Sequence, residues 1–263
     1  MTAITHTVSD SATMVARQLR HMLRYPSMTL LLVGMPIFFL LLFVYVFGGA
    51  MGPGADGAAA SRADYLDYIA PGVVLIAVTS AAQGTAISVT MDMTQGVVAR
   101  FRTMDIARVS VLTGHVVGSL VQAMLCAGVV VAVALLIGYR PSAGPAEWLA
   151  ALGLLALVSF ALTWLSVALG LVAKTVESAS NLPMPLMFLP FLGSGFVPTE
   201  TLPAGLRWFA EYQPFTPVMD TLRGLLTGTG VGDAWIAALA WCVGIALVSR
   251  LWAGKLYDRD PSV

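Results

Sequence analysis

The polar side chains that interrupt the most apolar parts of this chain are uncharged. They are Thr79, Ser80, Gln83, Thr85 and Ser88 in one stretch, Gln122 in the next, Ser159, Thr163 and Ser166 in a third, and Asn181 in a fourth. Hydroxyls and amides of this kind hydrogen-bond between helices, and they can line a path for a moderately polar molecule. Gln83, Thr79, Gln122 and Asn181 are therefore the candidate translocation surface, with Gln83 closest to the middle of its stretch. Other chemistry is missing. No Asp, Glu, Lys or Arg lies near the centre of any such stretch, where proton-coupled carriers place ionisable groups. His115 is the nearest ionisable residue and reads as structural. Ser, His and acidic residues are scattered over both ends of the stretches, so no hydrolytic constellation forms. Cys126 and Cys242 lack metal-ligand spacing, and no metal site is expected. No G-x-x-x-x-G-K-[ST] loop occurs, since the Gly254-Lys255 pair is followed by Leu256.

The elements carrying these residues are six long uncharged intervals: 25–55, 68–91, 109–139, 148–173, 178–199 and 234–249. Five of them hold the roughly 20 residues a helix needs to cross a ~30 Å hydrocarbon core. The sixth extends past Arg250, which can snorkel. Residues are 58% hydrophobic and only 11% charged, against about 25% charged in an average soluble domain. The chain of 263 residues therefore reads as one all-α integral membrane domain, with spans at 28–48, 71–91, 112–138, 149–173, 178–196 and 234–253. Pro71-Gly72 is expected at the start of the second span, where a proline forfeits no helix bond. Gly144-Pro145 before Glu147 and Trp148 marks the start of the fourth.

Formal net charge is zero, so bulk charge points to no nucleic-acid partner. Its distribution is informative instead. Arg17, Arg20, Arg24, Arg100, Arg102, Arg108, Lys174, Arg250, Lys255 and Arg259 fall on one side of alternating crossings; Arg62, Arg140, Arg207 and Arg223 fall on the other. By the positive-inside rule the larger group is cytoplasmic, so both termini are inside a multi-pass plasma-membrane protein. Within residues 1–27, Val15, Leu19, Met22 and Leu23 recur at helical spacing beside Arg17, Arg20, His21 and Arg24. That pattern fits an amphipathic helix in the cytoplasmic headgroup layer, or a helix running straight into the first span.

Two connections are amphipathic. The cytoplasmic loop 92–108 puts Val97, Phe101 and Met104 on one helical face, with Arg100, Arg102 and Arg108 supplying charge and Asp105 placed to cap a following turn. Such a helix can dock on a cytosolic partner or lie on anionic lipid. The external segment 197–233 carries two stripes, Leu202/Leu206/Phe209 and Val218/Leu222/Leu225, separated by Pro214 and Pro217. Thr216 is placed to cap the second helix. Pieces too short to span point to a re-entrant helical hairpin, whose backbone is tolerated at membrane depth only when buried in protein or lining a cavity. A hairpin lying on the surface is the alternative.

The run from Phe188 to Leu226 resembles the carboxy-terminal signature of type-2 ABC exporter permeases. Its marks are Phe196-Val197-Pro198, Leu202-Pro203, Trp208-Phe209, Pro214 to Pro217, and Arg223. The loop from Gly96 to Arg108 is similar to that of the daunorubicin-resistance permease subgroup, which usually has proline where Asp105 stands here. Leu23-Arg24-Tyr25-Pro26 and Ala70-Pro71-Gly72 agree as well. The resemblance implies a non-catalytic permease that dimerises and pairs with two copies of a separate ABC ATP-binding subunit, which binds ATP and magnesium while this chain binds no cofactor. The cargo expected is an amphipathic drug, secondary metabolite or lipid. Val97, Arg100, Phe101, Arg102, Met104 and Asp105 would couple to the ATPase, and Phe209, Pro214, Pro217, Leu222 and Arg223 would form an external gate. The rivals are an ATP-independent carrier or channel, disfavoured by the lack of repeats and buried charge, and a non-transporting membrane scaffold.

The charge asymmetry predicts that single cysteines at Ser11 and Ser262, in a background lacking Cys126 and Cys242, resist an impermeant thiol reagent in intact cells. One at Thr229 is expected to react. Labelling at either terminus overturns the topology.

Overall fold

The computed structural model describes residues 26–48, 62–95 and 108–258, and no strand occurs among them. The expected interfacial helix, apart from its last two residues, lies outside the described residues, as do 49–61 and 96–107. Val97, Arg100, Phe101, Arg102, Met104 and Asp105 fall within the last of these ranges. The α-helices are α1 (Pro26–Leu42, continued by a π-helical turn Phe43–Phe47), α2 (Arg62–Thr94), α3 (Arg108–Leu136), α4 (Pro145–Val172), α5 (Val176–Asn181), α6 (Met184–Phe188), α7 (Ala204–Tyr212), α8 (Phe215–Thr227) and α9 (Ala234–Asp258). By length and composition α2, α4, and most of α3 and α9 can each cross a membrane, and Leu32–Phe47 is a shorter apolar helix.

The bundle is arranged around α2, which packs against α1, α3, α4, α5, α6 and α8. Every residue from Pro71 to Ala82 is buried. Its hydroxyls mostly serve its own backbone rather than bridging helices. Thr79, Ser80 and Thr85 donate to Leu75, Ile76 and Ala81 carbonyls at 2.7, 2.8 and 3.3 Å. Thr90 does both, reaching the Ala86 carbonyl at 3.0 Å and the Gly170 carbonyl of α4 at 2.8 Å. At the Thr94 end of α2, His115 Nε2 lies 3.1 Å from Asp92 Oδ2 and ties α3 to α2. Trp164 and Tyr257 are buried in the apolar cluster at the same end. The start of α4 is as expected: Glu147 Oε2 accepts from the Gly144 N–H at 2.6 Å, with Pro145 in the first turn.

Two expectations are corrected. The second long helix starts at Arg62, so Pro71 stands inside it and not at its start. Asp64 in its first turn favours that earlier start through the helix dipole. The segment expected as a single fifth span is broken into α5, α6 and a 3₁₀ turn Leu189–Leu192. Pro183, Pro185 and Pro190 explain the break, since each lacks an N–H and its ring crowds the carbonyl four residues earlier.

Helices α2 and α4 meet closely at Gly170, where an added Cβ would sit 2.7 Å from the Ala86 carbonyl oxygen and 3.1 Å from Val89 Cβ. Gly170→Val is expected to destabilise the fold by about 1–3 kcal/mol through overpacking, seen as a lower Tm in detergent. Gly153→Ala, whose Cβ meets nothing within 4 Å, should leave the Tm unchanged.

Candidate functional site

The segment expected as a hairpin contains two helices, α7 and α8, joined at Gln213 and Pro214, and their two stripes have different fates. On α8, Phe215, Val218, Met219, Leu222 and Leu226 are buried, against α2, α4 and α9. On α7 only Ala210 is buried, while Leu206, Trp208, Phe209 and Tyr212 are exposed. There Arg207 Nε donates to Glu211 Oε1 at 2.6 Å, one turn along, and that bond raises the guanidinium's pKa. Gly228 closes α8 at φ 67°, a left-handed conformation that suits glycine.

The buried face of α8 rests on a turn at 193–196, which follows the 3₁₀ turn of the broken segment and is itself buried. Small residues let the turn's backbone meet that of α2 and the Met219 side chain of α8. A Cβ on Gly72 of α2 would stand 3.0 Å from the Gly195 carbonyl oxygen, and one on Gly195 would stand 2.6 Å from Met219 Sδ. Polar side chains of α8 then fasten the turn. Ser194 Oγ donates to Asp220 Oδ1 at 2.6 Å, and Arg223 Nη1 donates to the same oxygen at 2.9 Å. Arg223 Nη2 donates to the Ser194 carbonyl at 2.6 Å and to the Tyr68 carbonyl of α2 at 3.3 Å. The guanidinium also lies 4.1 Å from the centre of the Tyr68 ring, a cation–π distance. One planar cation with several donors can hold three elements this way, where an ammonium would hold fewer.

Thr216 does not cap α8, because it lies within the first turn with Pro214 at the N-cap position. Its hydroxyl donates to the Ala210 carbonyl of α7 at 2.5 Å and accepts from the Ser194 N–H at 3.3 Å. It thus finishes the preceding helix and grips the turn. Gln213, between the two helices, donates from Nε2 to the Leu189 carbonyl at 2.9 Å.

Of the residues expected to form an external gate, Arg223 belongs to this seat, Leu222 is on the buried face of α8, Pro214 and Pro217 shape the start of α8, and Phe209 lies outside it on α7. On the expected translocation surface, Gln83 Nε2 donates to the Ser180 carbonyl of α5 at 2.7 Å, which places it beside Asn181. Thr79 is one turn away on α2 and buried. Gln122, half-buried on α3, shares no hydrogen bond with them. Sequence reasoning missed Tyr68, Ser194, Gln213 and Asp220. The signal for Asp220 was available as an opposite-charge pair with Arg223 at i,i+3. Among the described residues no group of three His, Cys, Asp or Glu is placed to hold a metal.

Residues 11–227 match a family model described as the ABC-2 type transporter. A daunorubicin resistance ABC transporter permease protein of Streptomyces coeruleorubidus is 31% identical over 246 residues, covering 90% of this chain and 84% of the relative. A probable doxorubicin resistance ABC transporter permease protein of Mycobacterium tuberculosis is 22% identical over 190 residues, 71% of this chain and 69% of the relative. ABC transporter G family member 20 of Dictyostelium discoideum is 27% identical over 209 residues, 76% of this chain but 28% of that longer protein.

Losing the Arg223 bonds should loosen the turn more than the bundle. Arg223→Gln is expected to weaken the seat by about 2 kcal/mol, as for a charge-assisted bond. Hydrogen exchange of the Ser194 and Gly195 amides should then rise roughly tenfold or more, with Arg223→Lys intermediate and the α3 amides unaffected. Unchanged exchange at the turn would show that Arg223 does not hold it.

Proposed function

The chain belongs to the ABC-2 type transporter family, and from that membership we propose that it is the non-catalytic permease subunit of an ATP-driven exporter. The single observation that carries this is the family match over residues 11–227. In this reading a separate ABC subunit binds ATP and magnesium, and two permeases pair with two such subunits. The cargo is an amphipathic drug, secondary metabolite or lipid leaving the cytoplasm. Relatives named for daunorubicin and doxorubicin resistance favour the first of these.

The chain crosses the plasma membrane six times in this reading, with both termini inside. The fifth crossing is the broken segment α5–α6 and its 3₁₀ turn. At 17 residues (192 − 176 + 1) it is about 25 Å long if wholly α-helical, close to the ~30 Å core. Helix α8 is re-entrant. Its burial against α2, α4 and α9 is the condition under which a short helix is tolerated at membrane depth.

Nucleotide-driven movement enters through Val97, Arg100, Phe101, Arg102, Met104 and Asp105 and reaches the bundle by way of α2 and α3, which flank that loop. Because α2 carries Gln83 against α5 and Tyr68 against Arg223, a shift of α2 bears on both ends of the broken segment. Cargo would pass along Thr79, Gln83, Gln122 and Asn181 and leave beside the α8 gate of Pro214, Pro217, Leu222 and Arg223, with Phe209 on α7. An uncharged path suits a hydrophobic body that carries a few polar groups.

The tagged chain, purified from its own membranes, is expected to bring down a protein with an ATP-binding cassette and ATPase activity. Phe101→Ala should weaken that complex by about 2 kcal/mol, as for an apolar anchor at a hot spot. Absence of any such ATPase overturns the reading, and an unchanged complex in the variant removes the loop from the interface.

A further inference from the structure

Helix α4 is packed unevenly near its Pro145 end. On one side a cavity of about 90 Å³ lies between α2, α3, α4 and α8, lined by Pro71, Met124, Val131, Trp148, Leu155 and Leu222 among others. On the other side a more open cleft of about 360 Å³ runs between α4, α8 and α9 along Gly153, Leu157, Trp235 and Leu239. The first has the features of a built site. Its lining includes no charged side chain, hydroxyl or amide, and an apolar cavity of this kind stays dry.

Its depth is informative. Helix α3 ends at Leu136 and α4 begins at Pro145, so both ends lie at one membrane face. At 1.5 Å per residue, Val131 and Met124 lie about 7 and 18 Å below that end of α3, and Trp148 and Leu155 about 4 and 15 Å below that end of α4. Half of a ~30 Å core is ~15 Å, so the cavity occupies the depth of one leaflet's acyl chains. Gly128 and Leu152 line it and are exposed, so it opens sideways between α3 and α4.

At that same end of the two helices, the loop joining them carries Arg140, which is exposed. Its Nη1 donates to the Leu135 and Tyr139 carbonyls at 3.0 and 3.1 Å, fixing the cation at the end of α3. Ser142 Oγ donates to the Thr227 carbonyl at 2.5 Å, holding the same loop to the end of α8, whose Leu226 is part of the cavity wall. Of the two carboxylates nearby, that of Glu147 accepts from the Gly144 N–H and that of Asp67 from the backbone N–H of Arg140.

We propose that this cavity marks the binding site of a glycerophospholipid from the surrounding leaflet, with a few methylenes of one acyl chain sunk into the cavity, the rest of that chain lying along α3 and α4, and the phosphate paired with Arg140. Charge complementarity selects this occupant: a fixed cation lies at headgroup level over an apolar slot at acyl depth, and a phospholipid supplies an anion and a chain in that order. The site is separate from Gln83 and uses none of the polar groups of the Arg223 seat, although Pro71 and Leu222 border both.

The test is native mass spectrometry of the full chain, in the complex with which it purifies, titrated with phosphatidylglycerol and with diacylglycerol, which has the chains but no phosphate. Wild type should hold one phosphatidylglycerol per chain more tightly than diacylglycerol. Gly128→Phe puts a ring into the cavity from a position where Cβ meets nothing within 4 Å, and should lower that affinity at least tenfold. Leu152→Trp, which blocks the mouth from the other helix, should do the same should Gly128→Phe not fold. Arg140→Gln should lower phosphatidylglycerol affinity threefold or more and leave diacylglycerol unchanged. Gly153→Phe, facing the open cleft on the other side of α4, serves as the control and should bind as wild type. Unaltered phosphatidylglycerol binding in both cavity-blocking variants, or equal binding of the two lipids by wild type, overturns the proposal.

Discussion

A peptide carbonyl in hydrocarbon has no water to turn to, and leaving one without a donor costs on the order of several kcal/mol. This chain takes on that difficulty repeatedly, because prolines at 183, 185 and 190 break its fifth segment and Pro214 stands between α7 and α8. What repairs the breaks is a set of polar side chains reaching across the bundle. Gln83 supplies a donor to Ser180, Gln213 to Leu189, Thr216 to Ala210, and Arg223 to both Ser194 and Tyr68. Each repair comes from a different element, or from the far side of a break, so the broken segment and the hairpin are held by what surrounds them. Helix α2, buried throughout from Pro71 to Ala82, is the common support.

This also explains why fragments far apart in the chain belong together. Pro71-Gly72, Gly193-Ser194-Gly195, Pro214 to Pro217 and Arg223 come from three stretches, and they meet within one seat. Glycine permits the approach, proline frees the backbone groups, and arginine and serine engage them. Around this seat Phe39 and Phe43 of the first helix pack on Phe191 and Phe196, with ring centres 4.8 Å apart for the Phe43–Phe196 pair, so the first helix is joined to the same turn.

Much of this was legible in the sequence. Long apolar intervals gave the long helices, since hydrophobicity over more than 18 residues leaves few other structures, and the two stripes of 197–233 foretold α7 and α8. The N-terminal boundary of α2 was hidden because Arg62, Asp64 and Asp67 look like a loop, although acidic residues also suit a helix start. The break in the fifth interval was masked by its hydrophobicity, which outweighed three prolines in the reading. Thr216 was misassigned because a threonine before a proline fits an N-cap, and nothing local reveals that its hydroxyl reaches back to the previous helix. Gln83 was singled out for its mid-helix position, but its partner, a carbonyl 97 residues away, is set by tertiary packing alone.

Helix α4 is clamped at one end and cushioned at the other. Near Gly170 it touches α2 backbone to backbone and is bonded by Thr90; near Pro145 it has void space on both flanks. Missing neighbours mean missing dispersion attraction, so the same sideways displacement disrupts less contact at the cushioned end. Mechanically the helix is a cantilever, stiff at its root and compliant at its tip. Force applied at the root would emerge as a swing of the tip that enlarges one void as it compresses the other.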